Sequence, residues 1–195
     1  MLSTDHSILS LKYGDAVGWA LQKHANQVRH NTRTPYLSHL LMTSALVIEE
    51  GADEEVAIAA LLHDAVEDQP VTYEEISRNF GDRVARIVQD CTDASKGQRI
   101  GTSWRERKLA HLRRMQDFSR DSLLVITADK VSSLQSLVDD LYRFGPKLFV
   151  HSEQSFDELI WHYRETYQIL RRKLGRSPLL QRLNQLLKDA ERHLR

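Results

Sequence analysis

Four side chains able to bind a metal or move a proton stand within six positions: His63, Asp64, Glu67 and Asp68. They follow the apolar run Ala59-Ala60-Leu61-Leu62, which reads as part of a buried helix. Charged groups are rarely fully buried unless they are paired or bound to a metal. Asp64 is three and four positions from Glu67 and Asp68, and His63 is four from Glu67, so a helix would place them on one face. A divalent cation over that face could be held by the first pair and present its water to the second. Two further positions strengthen this reading. His39 opens an otherwise apolar stretch after Pro35, and Asp129 ends the run Leu123-Leu124-Val125-Ile126-Thr127-Ala128. Taken singly, His39 reads as a core histidine and Asp129 as a cap or ion-pair partner. Together, two imidazoles and two carboxylates with positions left for water suit manganese, iron or zinc.

Such inward polar residues need several helices to bring them together, as in helical bundles that build cofactor sites. The chain reads as helix after helix, without convincing strand alternation. The spacing predicts helices over about 13–28, from Pro35 to Gly51, from an Asp53 cap to just before Pro70, and over 82–91. Thr72 with Glu75, and Ser103 with Glu106, read as capping boxes. Residues 92–102 read as a polar loop. A long helix is expected over 123–144, closed by Gly145-Pro146, followed by helices over about 153–174 and 178–194. The expected fold is all-α: one domain over 1–195, with a catalytic core of about 13–145 and C-terminal helices over about 152–195.

Composition narrows the function classes. The chain has 195 residues and 27 basic against 27 acidic side chains. No global charge points to nucleic acid or to an acidic membrane surface. Cys91 is the only cysteine, which excludes an intramolecular disulfide and a multi-cysteine zinc site. With no long apolar run and no secretory leader, a cytoplasmic protein is expected.

The ordered motifs are more specific than the His-Asp pair. They are His24-Ala25-Asn26-Gln27-Val28-Arg29-His30, Pro35-Tyr36-Leu37-Ser38-His39, the segment from Ala59 through Asp68, Thr72-Tyr73-Glu74-Glu75-Ile76 with Phe80-Gly81, Glu106-Arg107-Lys108, and Ala128-Asp129-Lys130. In this order they resemble the HD-domain phosphohydrolases, and within them the small stand-alone alarmone hydrolases of the RelA/SpoT type. The resemblance implies His39, His63, Asp64 and Asp129 as metal ligands, usually for manganese, and Glu67 and Asp68 as catalytic carboxylates. We assign Glu67 to activating water. The implied reaction is hydrolysis of the 3′-pyrophosphate of ppGpp or pppGpp, a small-molecule nucleotide. The family's basic pair against the nucleobase reads Arg29-His30 here, with histidine in place of lysine. Lys130 and Ser133 complete the expected substrate contacts. Where the family has His-Asn or Tyr-Asn after the metal aspartate, this chain has Ser132-Ser133, and that keeps an adenine alarmone open. Because the chain ends at Arg195 with no synthetase segment, a purely degradative role is expected.

Two other readings stand beside this one: an HD phosphohydrolase of another nucleotide or phosphoester, and a metal-bound regulatory protein without turnover. Neither nucleic-acid nor membrane binding is expected, and oligomeric state is open. The stretch from Thr72 to Val88 superficially resembles a helix-turn-helix, but its second helix is amphipathic rather than basic. Arg171-Arg172-Lys173 with Arg176 reads as a solvated face, and Trp161, Tyr163 and Tyr167 as helix contacts. His6, His111, His151, His162 and His193 have no constellation around them in sequence.

Overall fold

The computed structural model describes residues 9–29, 32–93, 101–145 and 154–192. Among them, helices account for all regular structure apart from one isolated bridge between Val28 and Pro35. The helices are α1 (Leu11–Lys23), α2 (Leu37–Glu49), α3 (Glu54–Leu62), α4 (Ala65–Asp68), α5 (Tyr73–Phe80), α6 (Asp82–Cys91), α7 (Trp104–Arg114), α8 (Arg120–Phe144), α9 (Phe156–Leu174) and α10 (Pro178–Arg192). None of the described helices is long and apolar enough to cross a membrane.

α3 is apolar all round, from Val56 to Leu62, and every one of these residues is buried. A helix with no polar stripe must sit at the centre of a fold, and α3 is accordingly packed against α1, α2, α6 and α8. α8 packs against α2 and α6 and also against α9 and α10. Outside this core, one cation ties three elements together. Arg83 of α6 reaches Asp53 (2.7 Å) and Glu55 (3.0 Å) at the start of α3, and Asp121 (2.7 Å) at the start of α8.

Most starts and stops obey local chemistry. Ser103 and Ser155 each close a reciprocal capping box, with Glu106 and Glu158. Gly145, at φ 61°, ends α8 in a conformation that costs a residue with a Cβ. The second helix of the apparent helix-turn-helix, α6, turns Val84, Ile87 and Val88 into the core, while its Arg83 is engaged by carboxylates.

Three expectations are corrected. First, α1 stops at Lys23 rather than running to Val28. The chain turns there because Gln27 N–H donates to His24 O and Arg29 N–H donates to Thr34 O. Second, the helix capped by Asp53 does not continue to Pro70. It breaks at His63 and Asp64, where His63 Nδ1 donates to Ala60 O at 2.8 Å, and restarts as the single turn α4. Third, the Thr72 box is only half formed. Thr72 Oγ1 accepts from Glu75 N–H, while the Glu75 carboxylate pairs with Lys23 at 2.8 Å. Helix ends elsewhere shift by a few residues, α8 beginning at Arg120 under a Ser119 cap and α9 at Phe156. His6, His30, His151, His193 and most of the expected 92–102 loop lie outside the described residues.

Candidate active site

The break after α3 turns His63 and Asp64 toward α2 and α8. His63 Nε2 is 3.0 Å from Asp64 Oδ2 and 3.7 Å from Asp129 Oδ1. His39 Nε2 is 3.6 Å from Asp64 Oδ2 and 3.3 Å from Asp129 Oδ1. Ligand atoms of His39, His63 and Asp129 all lie within 4.8 Å of one another. Asp64 stands on the same pair of imidazoles. Atoms bonded at about 2.1 Å to one ion lie roughly 3 to 3.5 Å apart, close to these spacings.

The donor set also fits a cation chemically. His63 Nε2 is buried and makes no hydrogen bond, although a carboxylate oxygen is close. Its Nδ1–H is committed to Ala60 O, so a neutral ring presents its Nε2 lone pair to the cluster. His39 is arranged similarly, its Nδ1 lying 2.9 Å from Ser132 Oγ. Hydrogen bonding of the far nitrogen is the usual way that a ligand histidine is oriented.

Without a cation, charge in the cluster is balanced by protons. Burial alone would push the His63 pKa down, but the Asp64 and Asp129 carboxylates outweigh it and hold it well above the usual histidine value. Burial acts in the opposite sense on the two carboxylates and is again outweighed. His63 and His39 hold Asp64 well below the usual range, and Lys130 with the imidazoles does the same to Asp129. Cys91 stays a thiol, because burial and the charges of Asp129 and Asp90 push its pKa up.

Glu67 and Asp68 follow on α4, both partly exposed. Glu67 Oε2 faces Asp93 N–H at 3.4 Å, and the Asp93 carboxylate pairs with Lys108 at 2.6 Å. Asp68 Oδ2 accepts from Gln27 Nε2 at 2.8 Å. Of the expected substrate contacts, Lys130 donates to Asp129 Oδ2 at 2.6 Å and Ser133 donates to Asp129 Oδ1 at 3.1 Å. Ser132 is buried behind His39 rather than set beside Ser133. Arg29 is half-exposed, and its charge acts on Asp140 of α8 and on buried Tyr163 of α9. His111 and His162 are buried structural groups. His111 Nε2–H donates to Asp90 O, and His162 packs edge-on to Trp104.

Sequence reasoning assigned no role to Tyr36. Its hydroxyl donates to Asp64 Oδ2 at 2.5 Å, while its ring stacks on His24 at 5.6 Å between centroids. Burial and the Asp64 and Asp68 charges push its pKa well above the usual phenol value, so it remains a donor. Tyr36→Phe keeps the stacked ring and deletes that bond. Its expected effect is a loss of roughly ten- to a hundredfold in divalent-metal affinity, the scale for removing a partner of a ligand. Competitive chelator titration measures this, and parental affinity in the variant would count against the orienting role.

Residues 16–149 match the HD-domain family. The Xenopus tropicalis protein named guanosine-3′,5′-bis(diphosphate) 3′-pyrophosphohydrolase MESH1 is 34% identical over 160 residues, covering 80% of this chain and 83% of that protein. The Danio rerio protein of the same name is 39% identical over 127 residues, covering 63% and 67%. A solved structure described as a metazoan ortholog of SpoT that hydrolyzes ppGpp superposes with a TM-score of 0.77 at 26% identity. It covers 93% of this chain and 97% of that one. Family match, helical architecture and the His/Asp cluster agree: this chain belongs to the HD-domain family.

Proposed function

We propose that this protein hydrolyses the 3′-pyrophosphate of (p)ppGpp-like alarmones, releasing pyrophosphate and the nucleoside 5′-di- or triphosphate. The observation that carries this reading is the convergence of His39, His63 and Asp129, with Asp64 on the same imidazoles, next to the Glu67-Asp68 turn. The Xenopus tropicalis and Danio rerio relatives that carry the pyrophosphohydrolase name match over 83% and 67% of their length. His39, His63, Asp64 and Asp129 would hold the ion, manganese being the reading for this donor set. When bound, a divalent cation supplies a Lewis acid for phosphate oxygens and acidifies water.

The chain's own groups handle the protons. Water forms a bond to the phosphorus next to the 3′-oxygen, the P–O3′ bond breaks, and the water oxygen leaves with pyrophosphate. Glu67 takes the proton from the attacking water, and Asp68 helps return one to the departing 3′-oxygen. Lys130 adds positive charge beside Asp129. Arg29, with His30, is assigned to the nucleobase, an arginine over a base face being a favourable contact. The chain acts as one catalytic unit in this reading, because α9 and α10 pack on α8, which carries Asp129.

Ser133 bears on the choice of base. Its hydroxyl is short and is already directed at Asp129. It therefore leaves the base less strictly recognised than the 3′-pyrophosphate. Manganese-loaded protein is expected to hydrolyse both guanine and adenine alarmones, with a preference of about tenfold, the size of one modest polar contact. Ser133→Asn is expected to shift that ratio. Product analysis across a panel of alarmones and ordinary nucleotides tests both statements. Comparable hydrolysis of nucleotides without a 3′-phosphate would move the protein to the broader phosphohydrolase reading.

A further inference from the structure

The turn after α1 bears on the chemistry through Asp68. Gln27 Nε2 donates to Asp68 Oδ2 at 2.8 Å. An ionised carboxylate only accepts, so the Gln27 amide must face it with nitrogen and turn its oxygen away. Two donors meet that oxygen: Gln69 Nε2 at 2.5 Å and His24 Nδ1 at 2.7 Å. The amide is thus fixed in one orientation from both ends. His24 is itself held, being buried, stacked on Tyr36 and left with an unpartnered Nε2. The Gln27 amide oxygen can only accept, so His24 Nδ1 must carry the hydrogen, which gives both bonds to that oxygen a definite direction. Tyr36 N–H also donates to Gln27 O at 2.9 Å. One short segment therefore braces Asp68 through Gln27 and Asp64 through Tyr36.

We infer that Gln27, oriented by His24 and Gln69, is a positioning residue that fixes the Asp68 carboxylate for proton transfer. The assignment rests on the hydrolase reading given above. Gln27 touches neither a candidate metal ligand side chain nor Glu67 in any of its hydrogen bonds described above. Its direct effect should therefore pass through Asp68, and parental metal content in a variant would show that the Tyr36–Asp64 bond beyond His24 is undisturbed.

Gln27→Met keeps the length of the side chain and deletes both amide functions. The expected result is a fall in kcat of about tenfold or more, since small misplacements of catalytic groups carry large rate penalties. KM and metal content should match the parent, while the melting temperature should fall by a few degrees, because the buried His24 Nδ1–H loses its acceptor. In an Asp68→Asn background, the same substitution should change kcat by less than about twofold, because residues acting through one partner are not additive. Equal fold-losses in the two backgrounds, or a rise in KM at constant kcat, would overturn the assignment. Crystal structures of the parent and of Gln27→Met supply a readout independent of substrate. Asp68 should leave its rotamer in the variant, and an unmoved Asp68 carboxylate sinks the inference. A parent inactive on every alarmone would defeat the functional reading instead, with the Asp68 rotamer still deciding the role of Gln27.

Discussion

His63→Ala is expected to abolish metal retention and, with it, turnover. His63 offers its Nε2 to the centre of the cluster and has Nδ1 committed to Ala60 O. Loss of a partner behind a ligand costs up to about a hundredfold in metal affinity, and loss of the ligand itself should cost more. Elemental analysis of the purified variant measures retention directly. Thermal unfolding adds a second measurement. A ligand at a hundred times its dissociation constant stabilises a fold by about 2.7 kcal/mol, so manganese should raise the parent's Tm and leave that of His63→Ala unchanged. Parental metal content in this variant would dissolve the four-residue site.

The same imidazole predicts a pH dependence. Proton and cation compete for His63 Nε2, and ligand histidines must be neutral. In the metal-free site the Asp64 and Asp129 carboxylates, outweighing burial, raise the His63 pKa well above the ordinary histidine value. The proton is therefore held to higher pH than on a free histidine. Metal affinity should fall as pH drops through that raised value, and should be lost before acid protonates the two depressed carboxylates.

The second large effect is expected at Glu67. Glu67→Gln preserves the size of the side chain and removes its basic carboxylate. Turnover should drop by roughly a hundred- to ten-thousandfold, the range for a lost general acid or base. Metal content should stay at the parental level, because Glu67 lies on α4, after the break, and faces Asp93 N–H. Steady-state kinetics with parallel metal analysis separates the two roles. Normal turnover in Glu67→Gln would transfer water activation to Asp68, and loss of metal would make Glu67 a ligand.

What the sequence determined by itself was the chemistry and the helices. Polar residues at the ends of apolar runs have few reasons to be there, and His39, His63 and Asp129 do converge. Caps such as Ser103 with Glu106, and the stop at Gly145, are local hydrogen bonding and backbone freedom, so they are legible over a few residues. Tertiary structure decided how these residues are held. The break at His63 was hidden because α3 is apolar all round and nothing in that run marks its end; the imidazole's bond to Ala60 O accompanies the break. Tyr36 on Asp64, Gln27 on Asp68 and Ser132 behind His39 join positions 28, 41 and 93 residues apart. Periodicity and capping act over one or two turns. A hydrogen bond across such separations exists only once α2 and α8 have packed on α3 and the turn after α1 has met α4, because most buried polar groups find their partners only in the folded chain.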